Sequence, residues 1–191
     1  SGEIDVLVAD DGLQHYRLVR SLEICVVDGQ RGFGNGALLP AGPLREPRSR
    51  LEEIPLVVIN GGGLALAHRG RIDMHLHADQ AVPMLGGEAV ALSALRGKTV
   101  HALAGIGNPA RFFRMLEQAG MQVIAHAFSD HHAFTSQDIS FADAAPVLMT
   151  DKDAVKCRSF AGPQHYAVPV SARIDAAGLA LVQQSCARLK P

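Results

Sequence analysis

Two adjacent carboxylates, Asp10 and Asp11, follow an apolar run near the start of the sequence. Residues 4–9 read Ile-Asp-Val-Leu-Val-Ala, a pattern that predicts a strand buried on both faces. A carboxylate at the carboxyl end of a strand can hold a magnesium ion, directly or through water, without a flexible stem. The residue types suit an ordinary turn with Gly12 at the bend equally well. Gln14 and His15 come next and are predicted to lie near the same edge of the sheet, at the carboxyl end of this strand.

A second group of chemically capable residues is Ser129-Asp130-His131-His132, which follows a predicted strand. A histidine whose tautomer is fixed by a carboxylate can accept a proton or orient a reacting group near pH 7. The alternative is a capped turn with solvent-exposed imidazoles. The residues alone leave both interpretations open.

Basic side chains at two further places could meet an anion. Arg45 lies in a segment, residues 31–47, in which Gly and Pro are so frequent that a long loop is predicted. Lys152 stands at the start of a predicted helix, where it could contact phosphate, although a capped helix start with a solvated lysine accounts for the same residues. The glycine-rich segments at 32–36 and 105–107 match neither nucleotide-binding fingerprint.

The elements that would position these residues alternate between strands and helices, which predicts an α/β fold. A β-α-β unit is the clearest, with Asn108 as cap and Pro109 as first residue of its helix. Strands are predicted at 4–9, 22–28, 56–60, 100–104, 122–127, 146–150 and 165–170, with shorter ones between 71 and 91. Helices are predicted at 109–119, 135–144, from 151 onward, and 175–189.

Composition narrows the class of protein. The 191 residues carry 18 basic and 19 acidic side chains and are 48% hydrophobic, which is typical of a globular protein. A nearly neutral chain without a basic run lacks the electrostatic footprint of a general nucleic-acid binder. No apolar stretch approaches the roughly 18 residues of a membrane span, so the chain as given is expected to be soluble.

Taken in order, the segments resemble the tetraacyldisaccharide 4′-kinase family of lipid A synthesis. The resemblance rests on these segments: Asp-Asp-Gly-Leu-Gln-His at 10–15, Gly-Phe-Gly-Asn-Gly at 32–36, Leu-Pro-Ala-Gly-Pro-Leu-Arg-Glu at 39–46, Asn-Gly at 60–61, Ala-Gly-Ile-Gly-Asn-Pro at 104–109 with Arg-Phe-Phe at 111–113, Asp-His-His at 130–132, and Thr-Asp-Lys-Asp-Ala-Val-Lys at 150–156. It implies transfer of the γ-phosphate of ATP to the 4′-hydroxyl of a lipid disaccharide, with Mg²⁺ as the metal.

The resemblance also implies residue roles. Asp10 and Asp11 would be the Walker-B element of a P-loop kinase, holding Mg²⁺ and acting as catalytic residues that order the phosphates. Gln14 and His15 would lie beside Asp11 in the nucleotide site. His131 would be the histidine that pairs with the catalytic acid. Two loop residues would border the lipid substrate: Asn35 and Arg45.

The implied architecture has two lobes. Residues 1–71 would be part of a P-loop-type parallel-sheet lobe, onto which the helix at 175–191 would pack. Residues 72–94 would be connector strands, and 95–174 a smaller α/β lobe. The resemblance covers the C-terminal three-fifths of the family, so the phosphate loop and the N-terminal membrane anchor are expected upstream of Ser1. We therefore expect these residues alone to be inactive, and the full-length enzyme to work at the cytoplasmic face of the inner membrane.

Two other classes of function compete with the kinase. A metal-dependent phosphoesterase would use the acids near 10, 130 and 151 together with the histidines to bind two cations. A non-catalytic module would hold an anionic ligand between two lobes.

Overall fold

The computed structural model describes residues 6–189. The strands are β1 Ile24–Asp28, β2 Leu56–Asn60, β3 Arg71–His77, β4 Gln80–Pro83, β5 Val90–Ala91, β6 Thr99–Ala104, β7 Gln122–Ala127, β8 Val147–Thr150, β9 His165–Val168 and β10 Ser171–Ile174. The α-helices are α1 Pro109–Gln118, α2 Asp151–Cys157 and α3 Ala176–Ala187. Short 3₁₀ helices occupy Arg48–Glu52, Leu92–Leu95, Gln137–Ile139 and Arg158–Phe160.

The chain divides into two compact units, one formed by residues up to 76 and from 172 onward, the other by residues 77–171. The first unit contains a sheet of order β1-β2-β3-β10, in which β1 and β3 run parallel to β2. Its central strand β2 has four buried residues in succession, as a strand covered on both faces requires. The α/β class expected from the sequence is thereby confirmed, whereas the division at residues 71, 94 and 174 remains a proposal about domains.

Helix α3 packs on the sheet of the first unit. Its Leu181 and Val182 contact a cluster formed by Leu56, Val58 and Ile72. A Cβ atom placed on Gly178 would lie 2.7 Å from the Cγ2 of Ile72, so only a residue without a side chain lets α3 come this close.

The second unit contains a sheet of order β5-β4-β9-β8-β6-β7. Strand β6 lies between β7 and β8 and is parallel to both. Five of its residues in succession, 100–104, are buried. Because the chain moves from β6 to β7 on one side and returns to β8 on the other, the loops after these strands gather at one edge of the sheet.

Two predicted elements are wrong. The run at 4–9 does not continue as a strand through the part the structure describes, since residues 6–9 have no regular secondary structure and are exposed; residues 4 and 5 lie outside the described range. The helix predicted at 135–144 is reduced to one 3₁₀ turn, Gln137–Ile139. At the end of this turn the carbonyl of Ile139 lies 2.8 Å from the Nε2 of His165. Asp143 accepts a hydrogen bond from the amide of Ala145, and bonds of these kinds compete with a helix.

Within residues 6–189, no helix has the length and hydropathy of a membrane span.

Candidate functional site

The first group of candidate residues lies in a tight turn at residues 10–15. The amide of Asp11 donates to the Oδ1 of Asp10 over 3.0 Å, and the amide of His15 donates to the carbonyl of Gly12 over 3.0 Å. Asp11 has a φ of +50°, a left-handed conformation that aspartate adopts more readily than most residues. Both carboxylates are exposed, so the turn presents two negative charges to solvent.

Arg45 brings the glycine- and proline-rich loop to this turn. Its Nη1 donates to Oδ1 and Oδ2 of Asp11, each over 3.0 Å, and to the Oε1 of Gln14 over 3.3 Å. The Arg45 and Asp11 side chains remain 59% and 74% exposed. An ion pair so open to water contributes at most about 1 kcal/mol to stability. The main effect of this ion pair is on position, because it places the guanidinium of Arg45 beside Asp11, the acid predicted to order the phosphates.

Gln14 links the turn to Glu46. The Nε2 of Gln14 donates to the Oε1 of Glu46 over 3.0 Å. The hydrogen bond from the Tyr16 hydroxyl lowers the pKa of Glu46, and the bond from Gln14 and the charge of Arg50 act in the same direction. The same bond raises the pKa of Tyr16. Glu46 is thus an ionised acceptor that fixes two side chains of the turn.

Arg20 clamps the turn through hydrogen bonds to its backbone carbonyls, a role that the sequence did not predict. Its Nη1 donates to the carbonyl of Gly12 over 2.7 Å and to that of His15 over 3.1 Å. Its Nη2 pairs with Glu23 at 2.6 Å, and Glu23 in turn pairs with Arg50 at 2.8 Å. No sequence signal joins Arg20 to a backbone carbonyl five or eight positions away in an irregular turn.

Asn35 shapes its own loop, and its amide contacts lie there. Its Nδ2 donates to the carbonyl of Ala41 over 2.9 Å, and its Oδ1 accepts from the amide of Ala37 over 3.1 Å. A Cβ atom on Gly42 would fall 2.2 Å from that same Oδ1. Side-chain hydrogen bonds therefore join Arg45 to Gln14 and Asp11, whereas those of Asn35 hold the far part of the loop.

The second group of candidate residues follows β7. His131 has a φ of +61°, its ring is 93% exposed, and its amide donates to the Oδ1 of Asp130 over 3.1 Å. The Nε2 of His131 lies 3.8 Å from the Oδ2 of Asp130, beyond hydrogen-bond distance. The imidazole of His131 is therefore open to a further partner.

His132 has different surroundings. Its Nε2 lies 3.4 Å from the Oδ2 of Asp138, and its ring packs near Phe128 and Phe134, with centroids 4.7 and 4.9 Å away. Asp138 also accepts from the amide and hydroxyl of Thr135, and these two bonds are the main causes that lower its pKa. His132 thus anchors the turn from which His131 projects.

A buried carboxylate ties the neighbouring loops together. Asp153, fully buried, accepts hydrogen bonds from the amide of Gly105 at 2.9 Å, the hydroxyl of Thr150 at 2.7 Å and the Nζ of Lys156 at 3.1 Å. Thr150 also caps α2 by accepting from the Asp153 amide. With three donors already bound, Asp153 is not available as a metal ligand, which removes one acid from the two-cation phosphoesterase.

The turn at 10–15 is better suited to a magnesium ion than to a metal that protein ligands enclose on all sides. Magnesium prefers oxygen ligands and is held in proteins by one or two carboxylates together with water and phosphate. Asp10 and Asp11 supply such oxygens in exposed positions. Among residues 6–189, no group of three His, Cys, Asp or Glu side chains could hold a metal ion.

The two units each contain a sheet built around parallel strands, with helices between strands, and this defines a protein of the α/β class. The family model described as tetraacyldisaccharide-1-P 4′-kinase matches residues 1–187. The chain belongs to this family.

Relatives named tetraacyldisaccharide 4′-kinase agree with the family model. The protein of Stenotrophomonas maltophilia is 49% identical over 98% of the chain and 57% of its own length, and that of Methylobacillus flagellatus is 51% identical over 98% and 54%. The chain therefore spans little more than half the length of these relatives.

A solved structure, LpxK from Aquifex aeolicus in complex with ATP, matches 92% of the chain and 56% of its own length. Its TM-score is 0.68 and its sequence identity 22%, a likeness that shows a shared fold.

Proposed function

We propose that this chain takes part in transfer of the γ-phosphate of ATP to the 4′-hydroxyl of tetraacyldisaccharide 1-phosphate. The observation that carries the proposal is the turn at 10–15, where Arg45 donates hydrogen bonds to the carboxylate of Asp11. The chain that contains this turn belongs to a family of lipid kinases. In this reaction the bond between the γ-phosphorus and the β–γ bridging oxygen breaks, a bond to the 4′-oxygen forms, and ADP leaves. Positioning and charge neutralisation supply most of the catalysis.

Asp10 and Asp11 are proposed as the catalytic carboxylates that hold Mg²⁺. When bound, Mg²⁺ neutralises charge on the β- and γ-phosphates. The exposed carboxylates of the turn support this role, and the clamp by Arg20 keeps their backbone in place. Gln14 and His15 are proposed to border the same nucleotide site, because they belong to the same turn.

Arg45 and Asn35 are proposed to border the lipid substrate. The guanidinium of Arg45 is a bidentate donor that suits phosphate oxygens, and it is more than half exposed. Asn35 contributes through the shape that it gives to its loop. The partner is accordingly an anionic lipid disaccharide, met at the cytoplasmic face of the inner membrane.

His131 is proposed as the histidine that pairs with a catalytic acid. Its support is an exposed imidazole in the turn after β7, with the Oδ2 of Asp130 3.8 Å from its Nε2. Such a group can accept the hydroxyl proton or orient the residue that does.

The test is transfer of labelled γ-phosphate from Mg-ATP to the disaccharide acceptor, using the chain extended through its upstream coding sequence. We expect transfer, and a loss of about a hundredfold in Asp11→Asn and in His131→Ala. The 191 residues alone contain no G-x-x-x-x-G-K-[ST] pattern, so we expect no transfer by them.

Matched controls separate chemistry from general damage. Asp73 is an exposed aspartate paired with Arg71, and His75 is an exposed histidine on the same strand. Asp73→Asn and His75→Ala should leave transfer within about twofold of the parent, as for surface changes away from a site. No transfer by a folded extended protein, or losses in these controls as large as in Asp11→Asn, would overturn the proposal.

A further inference from the structure

The loop between Asn35 and Leu44 contains four consecutive apolar residues that face solvent. Leu38, Leu39, Pro40 and Ala41, the apolar tip, are all exposed, and the two leucines retain 45% and 63% of their accessible surface. Single exposed leucines are ordinary on soluble proteins, whereas adjacent exposed leucines in a loop indicate an interaction surface.

The tip is held in one shape by hydrogen bonds. The amide of Leu39 donates to the carbonyl of Leu44 over 2.9 Å, and the amide of Gly42 donates to the carbonyl of Leu38 over 2.9 Å. The amide contacts of Asn35 to Ala37 and Ala41 close the same loop. A loop so tied down cannot turn its leucines inward to bury them.

The charged side chains within the loop itself are arginines, while Asp28 and Glu46 flank it and Arg45 is paired with Asp11. Residues 29–45 contain Arg31 and Arg45 and no acid, and Arg48 follows shortly after. The guanidinium of Arg48 lies 4.3 Å above the ring of Phe33 at the base of the loop. Arg31, Arg45 and Arg48 are all exposed. An apolar tip with arginines at its base is complementary to an anionic bilayer, where leucines enter the acyl region and guanidinium groups meet headgroup phosphates.

We propose that residues 38–41 insert into the surface of an anionic lipid bilayer. The proposal deepens the proposed function and rests on it, since a lipid acceptor would be met in such a bilayer. Arg45 joins this loop to Asp11, so a bilayer at the tip brings lipid headgroups to the same face as the acidic turn.

Tryptophan fluorescence provides the test, because the chain contains no tryptophan. Leu39→Trp places a single indole on the tip, and Leu85→Trp places one at a leucine of the second unit with 62% exposure. With vesicles of phosphatidylcholine and phosphatidylglycerol in equal amounts, we expect a blue shift and quenching by brominated acyl chains for Leu39→Trp. We expect neither change for Leu85→Trp.

Sedimentation with the same vesicles measures affinity. Leu38→Ser with Leu39→Ser should weaken binding about tenfold, the effect of losing part of two leucine side chains from the acyl region. Leu85→Ser should bind like the parent, and Arg31→Gln with Arg48→Gln should weaken binding to these vesicles but not to phosphatidylcholine alone. Binding that is absent in the parent, or unchanged in the double serine variant, would overturn the proposal.

A second copy of this chain is the main competing occupant of the apolar tip. Self-association of the parent in sedimentation velocity, abolished by the double serine variant, would identify that occupant and overturn the proposal. Phosphate transfer to acceptor dispersed in detergent is measured separately. Vesicle binding is measured on the 191 residues and transfer on the extended protein. Transfer by the extended protein without vesicle binding by the 191 residues would defeat this inference alone, and vesicle binding without transfer by the extended protein would defeat the proposed function alone.

Discussion

The turn that carries Asp11 and the turn that carries His131 are held by different forces. Around Asp11 the anchors are charged side chains, the exposed Arg45 and the largely buried Arg20. Around His131 the anchors are aromatic rings against His132, and the buried carboxylate of Asp153 ties Gly105 to the start of α2 nearby.

The neighbouring strands differ in the same way. Strand β6 is buried at residues 100–104, whereas β1 leaves Ile24 and Val26 exposed at 40% and 59%. Exposed ion pairs are screened by salt, and buried hydrogen-bonded charges are screened much less. The two turns should therefore respond to different perturbations.

The largest effect is expected at Asp153. Asp153→Ala leaves the Gly105 amide and Lys156 without their buried acceptor, so the second unit should lose about 3 kcal/mol of unfolding free energy. Urea denaturation measures the loss, which should be the same at low and high salt. Asp151→Ala, an exposed acid in the same helical turn, should cost at most about 1 kcal/mol. Equal losses in the two variants would contradict the role given to Asp153.

Removal of Arg20 should be the next largest perturbation. Arg20→Ala frees two carbonyls and breaks the pair with Glu23, at a cost of about 2 kcal/mol. Hydrogen exchange of peptides covering residues 10–20 should accelerate, while peptides covering 128–138 should not. Arg17→Ala, an exposed arginine in the same segment, serves as the control. A slowing of exchange, or an acceleration confined to the second unit, would refute the clamp.

Arg45 offers a chemical test of the first turn. Since Arg45 and a magnesium ion would compete for the oxygens of Asp11, Arg45→Gln should lower the Mg²⁺ concentration for half-maximal transfer several-fold, even as the maximal rate falls. Stability should change by less than about 1 kcal/mol. A higher Mg²⁺ requirement would show that Arg45 assists the metal instead.

The smallest effect is a dependence on pH in the second unit. Burial, and then the charge of the neighbouring His101, lower the pKa of His126 below its ordinary value of 6.5. The folded state then binds fewer protons than the unfolded state, so this contribution to stability is present above pH 6.5 and is lost as the pH falls below it. The Nδ1 of His101 lies 2.9 Å from the Nε2 of His126, and the Nε2 of His101 pairs with Asp143. Denaturation between pH 7.5 and 5.5 should show the loss, and His126→Gln should remove it.

The sequence predicted what local patterns determine. Strand β2 matches its predicted bounds at 56–60, and the β-α-β unit around Pro109 is confirmed, because apolar runs and a proline at the helix start act within a few residues. Asn108 stands at the predicted N-cap position but makes no side-chain capping hydrogen bond. The helix predicted at 135–144 is wrong because Ile139 and Asp143 bond outside a helix, to His165 and Ala145. Arg45 and Asp11 are 34 positions apart, and Asp153 and Gly105 are 48 apart. Such pairs form only in the tertiary structure, so the sequence could indicate the individual residues but not which residue each one contacts.

The central claim is that Asp11 and His131 serve one reaction, and a double-mutant cycle tests it most directly. Transfer of labelled γ-phosphate is measured for the extended protein, Asp11→Asn, His131→Ala and the combined variant, with Asp73→Asn and His75→Ala alone and together as controls. Groups that act in the same step lose activity non-additively, so the combined variant should be little slower than the worse single variant. A combined loss equal to the product of the two single losses would contradict the claim.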